Sequence, residues 1–160
     1  MMLALTGCTA QSSPQADTSS TATDAITQAR VKYLAQAATV QAALDRVKAV
    51  TSNAASRETQ FKAAYGELAT SIRASVAASR STVWPESVGP AMTRLEDAEL
   101  AQADALDRID HATSSAEFAD LLTASRNVIS VDVLSAANAV GALLGLSPIP
   151  TPSGLVMSNP

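Results

Sequence analysis

The 160-residue chain has one cysteine and one histidine, which excludes an internal disulfide and any metal site built from several histidines. Its net charge is −4, and residues 84–147 carry ten acidic residues against three arginines, so the basic footprint of a nucleic-acid-binding protein is missing. Hydrophobic residues make up 47% of the chain but aromatic residues only 3%, and much of the apolar content is alanine, the best helix former. With no alternating strand pattern, the sequence predicts an all-α fold and a single domain.

The charge is unevenly distributed along the chain. Residues 24–83 carry eight Lys and Arg against four Asp and Glu, a net charge of +4, whereas residues 84–147 have a net charge of −7. Two interpretations are open: the halves attract each other as they pack, or one half faces an external charged partner.

The first eight residues contain a candidate lipidation signal. Leu5-Thr6-Gly7-Cys8 looks like a bacterial lipobox, in which a peptidase cleaves before a cysteine whose thiol accepts diacylglycerol. Residues 9–23 are rich in Ser, Thr and Ala and predict a flexible tether. We therefore interpret residues 1–8 as the remnant of a lipoprotein signal peptide, with Cys8 as the lipidated residue.

Only seven residues precede Cys8, and none is Lys or Arg, whereas an export signal has a basic end and an apolar segment of about 7–15 residues. Either the true start lies upstream or the lipobox is a chance match. We expect the former, with the protein lipid-anchored on the extracytoplasmic face of the cell membrane. No apolar run reaches the roughly 20 residues that a spanning helix needs, so the anchor would be a lipid.

Residues 24–147 predict four helices. The first runs from an N-cap at Asp24 to Val50 on a seven-residue apolar repeat, and the second runs from Arg57 to Ser81 on a similar stripe. The third covers roughly 86–112, with its start either kinked by Pro90 or delayed to it. The inner-face residues expected for the first three helices are Ile26, Tyr33, Val40 and Val47; Phe61, Tyr65, Leu68, Ile72 and Val76; and Val88, Met92, Leu95, Leu106 and Ile109.

The fourth helix is predicted from a capping box at Ser114 and Glu117 to Leu144. Gly145, a hydrophobic residue and then Pro148 predict its end, and residues 148–160 form a Pro-rich, disordered tail. Its expected inner face consists of Phe118, Leu122, Ile129, Ala136, Val140 and Leu143. The predicted fold is an antiparallel up-down-up-down four-helix bundle over 24–147, with a disordered N-terminal tether and C-terminal tail.

Catalytic motifs are scarce. His111, the only histidine, falls in the last turn of the third helix, where a cation suits the helix dipole. There is no Gly-rich phosphate loop, nucleophile elbow or paired cysteine. We therefore expect no enzyme activity, no cofactor and no metal.

One polar group stands out within the inner faces. Counted from the turn near residue 114, Glu99 and Gln102 on the third helix come level with Ser125 and Asp132 on the fourth, and Arg73 on the second helix lies at a similar height. The group is either a small ligand pocket between helices or an ion pair that sets helix register.

The segments "VWPESV" at 83–88 and "SAANAVGALLGLSPIP" at 135–150, together with the lipobox, the tether and the Ala-rich helices, resemble small uncharacterised actinobacterial lipoproteins. The resemblance implies a cell-envelope location and a helical bundle, but no activity.

Two functions follow as hypotheses. The first is a lipid-anchored envelope protein without catalytic activity that binds or scaffolds an unknown envelope protein. The alternative is a bundle that binds or senses a small molecule through the mid-bundle polar group.

Overall fold

The computed structural model describes residues 17–124 and 130–150, with side chains from residue 21 onward. In these ranges the chain forms five α-helices and no strand: α1 Asp17–Thr51, α2 Glu58–Arg80, α3 Gly89–Asp110, α4 Ser115–Ala124 and α5 Val131–Leu143. The all-α prediction is confirmed for this part of the chain. Cys8, Ser125 and residues 151–160 lie outside the described residues.

Helix α1 is 35 residues long and begins at Asp17, before the predicted start at Asp24. Residues 17–23, expected to belong to the tether, are therefore helical. Hydroxyl side chains are tolerated on a helix surface when they donate to the carbonyl four residues earlier, as Thr27 does to the Thr23 oxygen at 3.0 Å. A segment rich in Ser and Thr is thus compatible with the helix.

Helices α2 and α3 closely match their predicted limits. The Gln60 side chain accepts a hydrogen bond from the Arg57 backbone N–H at 2.8 Å, which satisfies a free donor at the start of α2. Pro90 lies in the first turn of α3, after an N-cap at Val88, so the delayed start is the correct alternative. A proline is tolerated there because its missing N–H would have no partner within the helix.

The prediction of one continuous fourth helix is wrong. Ser130 has an extended backbone (ψ 154°) and its Oγ accepts a hydrogen bond from the Val133 N–H at 3.2 Å, so α5 starts with its own N-cap. The predicted cap of α4 is present, since Ser114 Oγ accepts from the Glu117 N–H at 3.2 Å. The predicted fourth helix is therefore represented by two helices, α4 and α5.

The C-terminal end of α5 has the predicted geometry. Gly145 has a positive φ of 67°, and the Leu146 N–H donates to the Gly141 oxygen at 2.8 Å. The Gly145 N–H donates to the Ala142 oxygen at 3.2 Å, which completes a Schellman motif. A glycine is favoured at 145 because other residues are strained in this conformation.

Buried apolar residues form two clusters. The α4-end cluster contains Leu44 and Val47 from α1, Tyr65, Leu68 and Ile72 from α2, Leu106 and Ile109 from α3, and Phe118 from α4. The α5-end cluster contains Ala29 from α1, Val88, Met92 and Leu95 at the start of α3, and Ala137, Val140 and Leu144 around α5. The predicted inner faces of α2 and α3 are confirmed, whereas Leu143 is exposed and Leu134 and Leu144 are buried in its place.

Polar contacts show that α2 and α3 run antiparallel. Lys62 donates to the Ala112 carbonyl oxygen at 2.7 Å, Arg73 pairs with Asp104 at 2.7 Å, and Arg80 pairs with Glu96 at 3.3 Å. As residue numbers rise along α2, those of the partners fall along α3. The basic and acidic parts of the chain thus attract each other within the fold, as the first interpretation of the charge pattern requires.

None of the helices in the described part of the chain combines the length and the apolar character needed to span a bilayer.

The N-cap at Ser130 can be tested by substitution. Ser130→Ala removes the acceptor of the Val133 N–H, and we expect the free energy of unfolding to fall by about 1 kcal/mol in urea denaturation. Ser135→Ala, on the exposed face of the same helix, is the matched control and should leave stability nearly unchanged. Equal stabilities of the two variants would contradict the role of Ser130 as the cap.

Candidate functional site

A cavity of about 180 Å³ lies where the α4-end and α5-end clusters meet. It is lined by residues of α1, α2, α3 and α5, and by Ile149 after α5. The polar lining residues are Tyr33, Gln36, Gln41, Ser75, Ser79 and Glu99, and the apolar ones are Ala37, Val40, Leu44, Met92, Leu95, Val133, Leu134, Ala137 and Ile149. The cavity thus has a mainly apolar wall with a few polar groups, as small-molecule sites usually do.

The cavity exists because small side chains occupy inward positions on several helices at the same level. Ser75 and Ser79 lie in the buried stripe of α2, four residues apart and therefore on the same face. Ala137 of α5 is buried beside them, and the exposed Ala37 of α1 lies at the rim of the cavity. Serine and alanine fill less volume than the leucine and isoleucine residues elsewhere in the core, so a space remains between the helices.

Glu99 brings a carboxyl group to this apolar cavity. Burial raises its pKa to about 7, and the neighbouring Glu96 carboxylate adds to the rise. Among the described residues, none forms a hydrogen bond or ion pair with the Glu99 carboxyl group. The group is therefore largely protonated below neutral pH and free to interact with a molecule in the cavity.

Glu96 lies one turn away from Glu99 and is fully partnered. It is buried, and Ser79 Oγ donates to its Oε1 at 2.5 Å. Arg80 Nε donates to its Oε2 at 3.3 Å. Glu96 therefore holds α2 and α3 together, while Glu99 has no such partner.

Two hydroxyl groups without a hydrogen bond to a described residue share the cavity with Glu99, besides the hydroxyl of Ser79, which donates to Glu96. Ser75 is only 8% exposed, and no described residue forms a hydrogen bond with its side chain. Tyr33 is half-buried, and burial and the Glu99 carboxylate both raise its pKa. Both hydroxyls can donate or accept a hydrogen bond from a bound molecule.

The predicted polar group is not assembled as expected. Arg73 forms ion pairs with Asp104 and Asp107, at 2.7 and 2.6 Å, on the surface between α2 and α3. Asp132 is exposed in the first turn of α5. Neither residue lines the cavity, and Ser125 lies outside the described residues.

Gln102 has a different role from the one predicted. It is buried, and its Oε1 accepts a hydrogen bond from the Ser130 N–H at 3.2 Å, which positions the start of α5. The prediction counted residues from the turn near residue 114 to find which side chains lie level on the third and fourth helices. That count requires one unbroken fourth helix, whereas α5 has its own start. Of the four predicted pocket residues that the structure describes, only Glu99 lines the cavity.

Tyr33, Ser75 and Ser79 are cavity residues that the polar-group prediction omitted. The apolar repeat of the first helix correctly predicts Tyr33 on the inner face of α1, but it indicates a packing role for this residue and not a place in a pocket. The two serines lie at helical spacing on the same buried stripe as Ile72 and Val76. This spacing is the sequence feature that indicates a cavity, because small polar residues on an inner face leave both empty space and hydrogen-bonding groups.

The structure describes the possible metal ligands and His111 in part of the chain. No group of three or more His, Cys, Asp or Glu side chains there is placed to hold a metal ion. His111 is exposed at the C-cap of α3, with Nδ1 2.8 Å from the Asp107 carbonyl oxygen, and does not line the cavity. The cavity residues are therefore suited to binding a molecule through apolar contacts and a carboxyl group.

No protein-family model, curated protein or solved structure matches this chain. The resemblance to actinobacterial lipoproteins stays a prediction.

The raised pKa of Glu99 leads to a pH-dependent stability. The carboxyl group releases its proton near pH 4.5 in the unfolded chain but only near pH 7 in the folded chain, so raising the pH through this window lowers the free energy of unfolding. The Glu99→Gln substitution removes this pH-dependent loss of stability, because a glutamine side chain does not ionise. At about pH 8 we expect the variant to be more stable than wild type by about 2 kcal/mol in urea denaturation, because one pKa unit corresponds to roughly 1.4 kcal/mol and partial solvent access reduces the total.

At about pH 4 the stabilities of Glu99→Gln and wild type should converge, since the carboxyl group is then neutral in both states. Glu86→Gln, at an exposed position before α3, serves as the control for loss of one negative charge. A stability difference at Glu99 that stayed constant from pH 4 to pH 8 would contradict a half-buried, proton-linked carboxyl group.

Proposed function

We propose that this protein is a lipid-anchored helical-bundle protein of the cell envelope that binds a small, largely apolar molecule beside Glu99, without catalysing a reaction. The observation that carries this proposal is the cavity of about 180 Å³ between the two apolar clusters. Apolar cavities on the order of 150 Å³ can hold a benzene-sized ring, so the space is sufficient for one ring or a short alkyl chain.

The surroundings of the cavity support entry of a ligand from solvent. Gln41 is exposed, Gln36 is half-buried, and Ile149 is 48% exposed, and all three line the cavity. These residues from α1 and the segment after α5 form its opening, whereas Met92 and Leu95 of α3 are buried at its inner wall. A molecule would therefore enter between α1 and the C-terminal end of α5.

The proposal includes the antiparallel up-down-up-down arrangement, with α4 and α5 together in the place of the fourth helix. The antiparallel contacts of α2 with α3 support it, as does the ion pair between Arg46 of α1 and Glu67 of α2. In such bundles, ligand sites commonly lie between facing helices.

A cavity-filling substitution tests ligand binding. Ala137→Leu adds three carbon atoms to the cavity wall, and we expect it to abolish the binding of benzyl alcohol and 1-hexanol that the wild-type protein shows in NMR titrations observed at the Met92 methyl group. Ala139→Leu, two positions away on the exposed face of α5, makes the same side-chain change outside the cavity and should bind like wild type.

Absence of saturable binding of both alcohols to the wild-type protein would contradict the proposed function. Equal loss of binding in the Ala137→Leu and Ala139→Leu variants would show that the cavity is not the site.

The envelope location is a separate part of the proposal and rests on Leu5-Thr6-Gly7-Cys8. When the protein is expressed from its genomic locus in a host that lipidates proteins, we expect mass spectrometry of the mature protein to show a chain that begins at Cys8 and carries diacylglycerol. Cys8→Ser should abolish the added mass and the membrane association, because serine lacks the thiol. A soluble wild-type chain that begins at Met1 would contradict the anchor.

Binding of an envelope protein remains the second candidate function. It is favoured by Val31 and Leu34, which are 64% and 46% exposed and lie three residues apart on α1, hence on one face. Such a surface contact does not depend on the cavity. The Ala137→Leu variant would therefore lose small-molecule binding while it kept association with a protein partner.

A further inference from the structure

The ligand class can be narrowed from the groups in the cavity, on the assumption that the proposed function is correct. We propose that the cavity binds a small amine with an apolar body, whose ammonium group pairs with the carboxylate of Glu99 while its ring or chain contacts Met92, Leu95 and Ala137.

The charge of the lining residues selects a cation. Among the residues that the structure describes, Glu99 is the one acidic residue that lines the cavity, and no Lys, Arg or His does. Since no described residue pairs with Glu99, an ammonium group would be its partner. An anionic ligand would meet this carboxyl group, and the Glu96 carboxylate one turn away, without any compensating cation in the lining.

The hydroxyl groups complete the recognition of an ammonium group. An ammonium group has up to three N–H donors, and the carboxylate of Glu99 would accept hydrogen bonds from only some of them. Ser75 and Tyr33 line the same cavity from α2 and α1, and neither side chain has a hydrogen bond to a described residue. Their oxygen atoms are available as acceptors for the remaining donors, which limits the desolvation cost of the bound cation.

Glu96 is excluded as the primary binding group because it already has partners. Ser79 and Arg80 both donate to its carboxylate, so a ligand would have to break these bonds first. Its negative charge nevertheless favours a cation nearby. The two acidic residues therefore differ in role: Glu96 joins α2 to α3, and Glu99 is available to a ligand.

Binding of an amine should depend on pH. Within residues 21–124 and 130–150, the titratable groups that face Glu99 are Tyr33 from α1 and Glu96 from its own helix. Helix α2 contributes only the hydroxyls of Ser75 and Ser79, and α5 contributes apolar residues. With a pKa of about 7, Glu99 is mostly neutral near pH 6, and binding of an ammonium group requires that it release its proton to solvent. The affinity for an amine should thus rise by about tenfold between pH 6 and pH 8.

The test compares two probes of nearly equal shape on the full chain. Benzylamine and benzyl alcohol are titrated at pH 6 and pH 8 into wild type, Glu99→Gln and the control Glu86→Gln by calorimetry. We expect benzylamine to bind wild type at least tenfold more tightly than benzyl alcohol at pH 8, with its affinity reduced about tenfold at pH 6. Glu99→Gln should remove both the preference and the pH dependence for the amine, while its affinity for benzyl alcohol confirms that the cavity is intact.

The outcomes separate the inference from the proposed function. If benzyl alcohol binds and benzylamine binds no more tightly, the cavity is a binding site but the preference for an amine is wrong. The same holds if benzylamine keeps its affinity in Glu99→Gln. If neither probe binds wild type at either pH, both the inference and the proposed function are overturned.

Discussion

The close packing of α2 against α3 is the contact on which the rest of the fold depends. Leu68 and Ala69 of α2 and Ala103 of α3 are completely inaccessible to solvent. The Asp110 side chain of α3 lies against Gly66 of α2, where an added Cβ would be 2.5 Å from its Oδ2. Because surface ion pairs stabilise proteins only slightly, the buried contact supplies most of the stability, and the flanking pairs of arginine with acidic residues favour one register.

The same contact explains why a cavity forms at one level and not along the whole core. Toward α4, Tyr65, Leu68 and Ile72 fill the space between α1, α2 and α3. One turn farther along α2, two of the buried positions beside Val76 are Ser75 and Ser79, whose small side chains line the cavity. The rigid pairing of α2 with α3 prevents these helices from closing the space, since a packed core relaxes only partly around missing volume.

The sequence predicted well those features that depend on local chemistry. The inner stripe of α2, the Ser114–Glu117 cap and the left-handed Gly145 each rest on a few neighbouring residues, and each is present. The sequence does not predict the start of α5, because its pattern places Ser130 in the interior of a long Ala-rich helix. In the structure the Ser130 side chain instead caps the helix by accepting from the Val133 N–H. The cavity was only partly predictable from the sequence. It forms where small side chains on four elements lie at the same level of the bundle, and no local sequence pattern determines how the elements align along the bundle axis.

The different environments of Glu96 and Glu99 give the cavity its chemical character. The two acids are three residues apart on one helix, yet Glu96 receives hydrogen bonds from Ser79 and Arg80, whereas Glu99 faces apolar side chains. A carboxyl group in such surroundings destabilises the folded protein whenever it is ionised, and a glutamine would avoid this cost. A neutral residue of equal size would therefore stabilise the folded protein at least as well as Glu99 does. What it adds is a charge that forms near neutral pH and that has no cationic partner among the described residues.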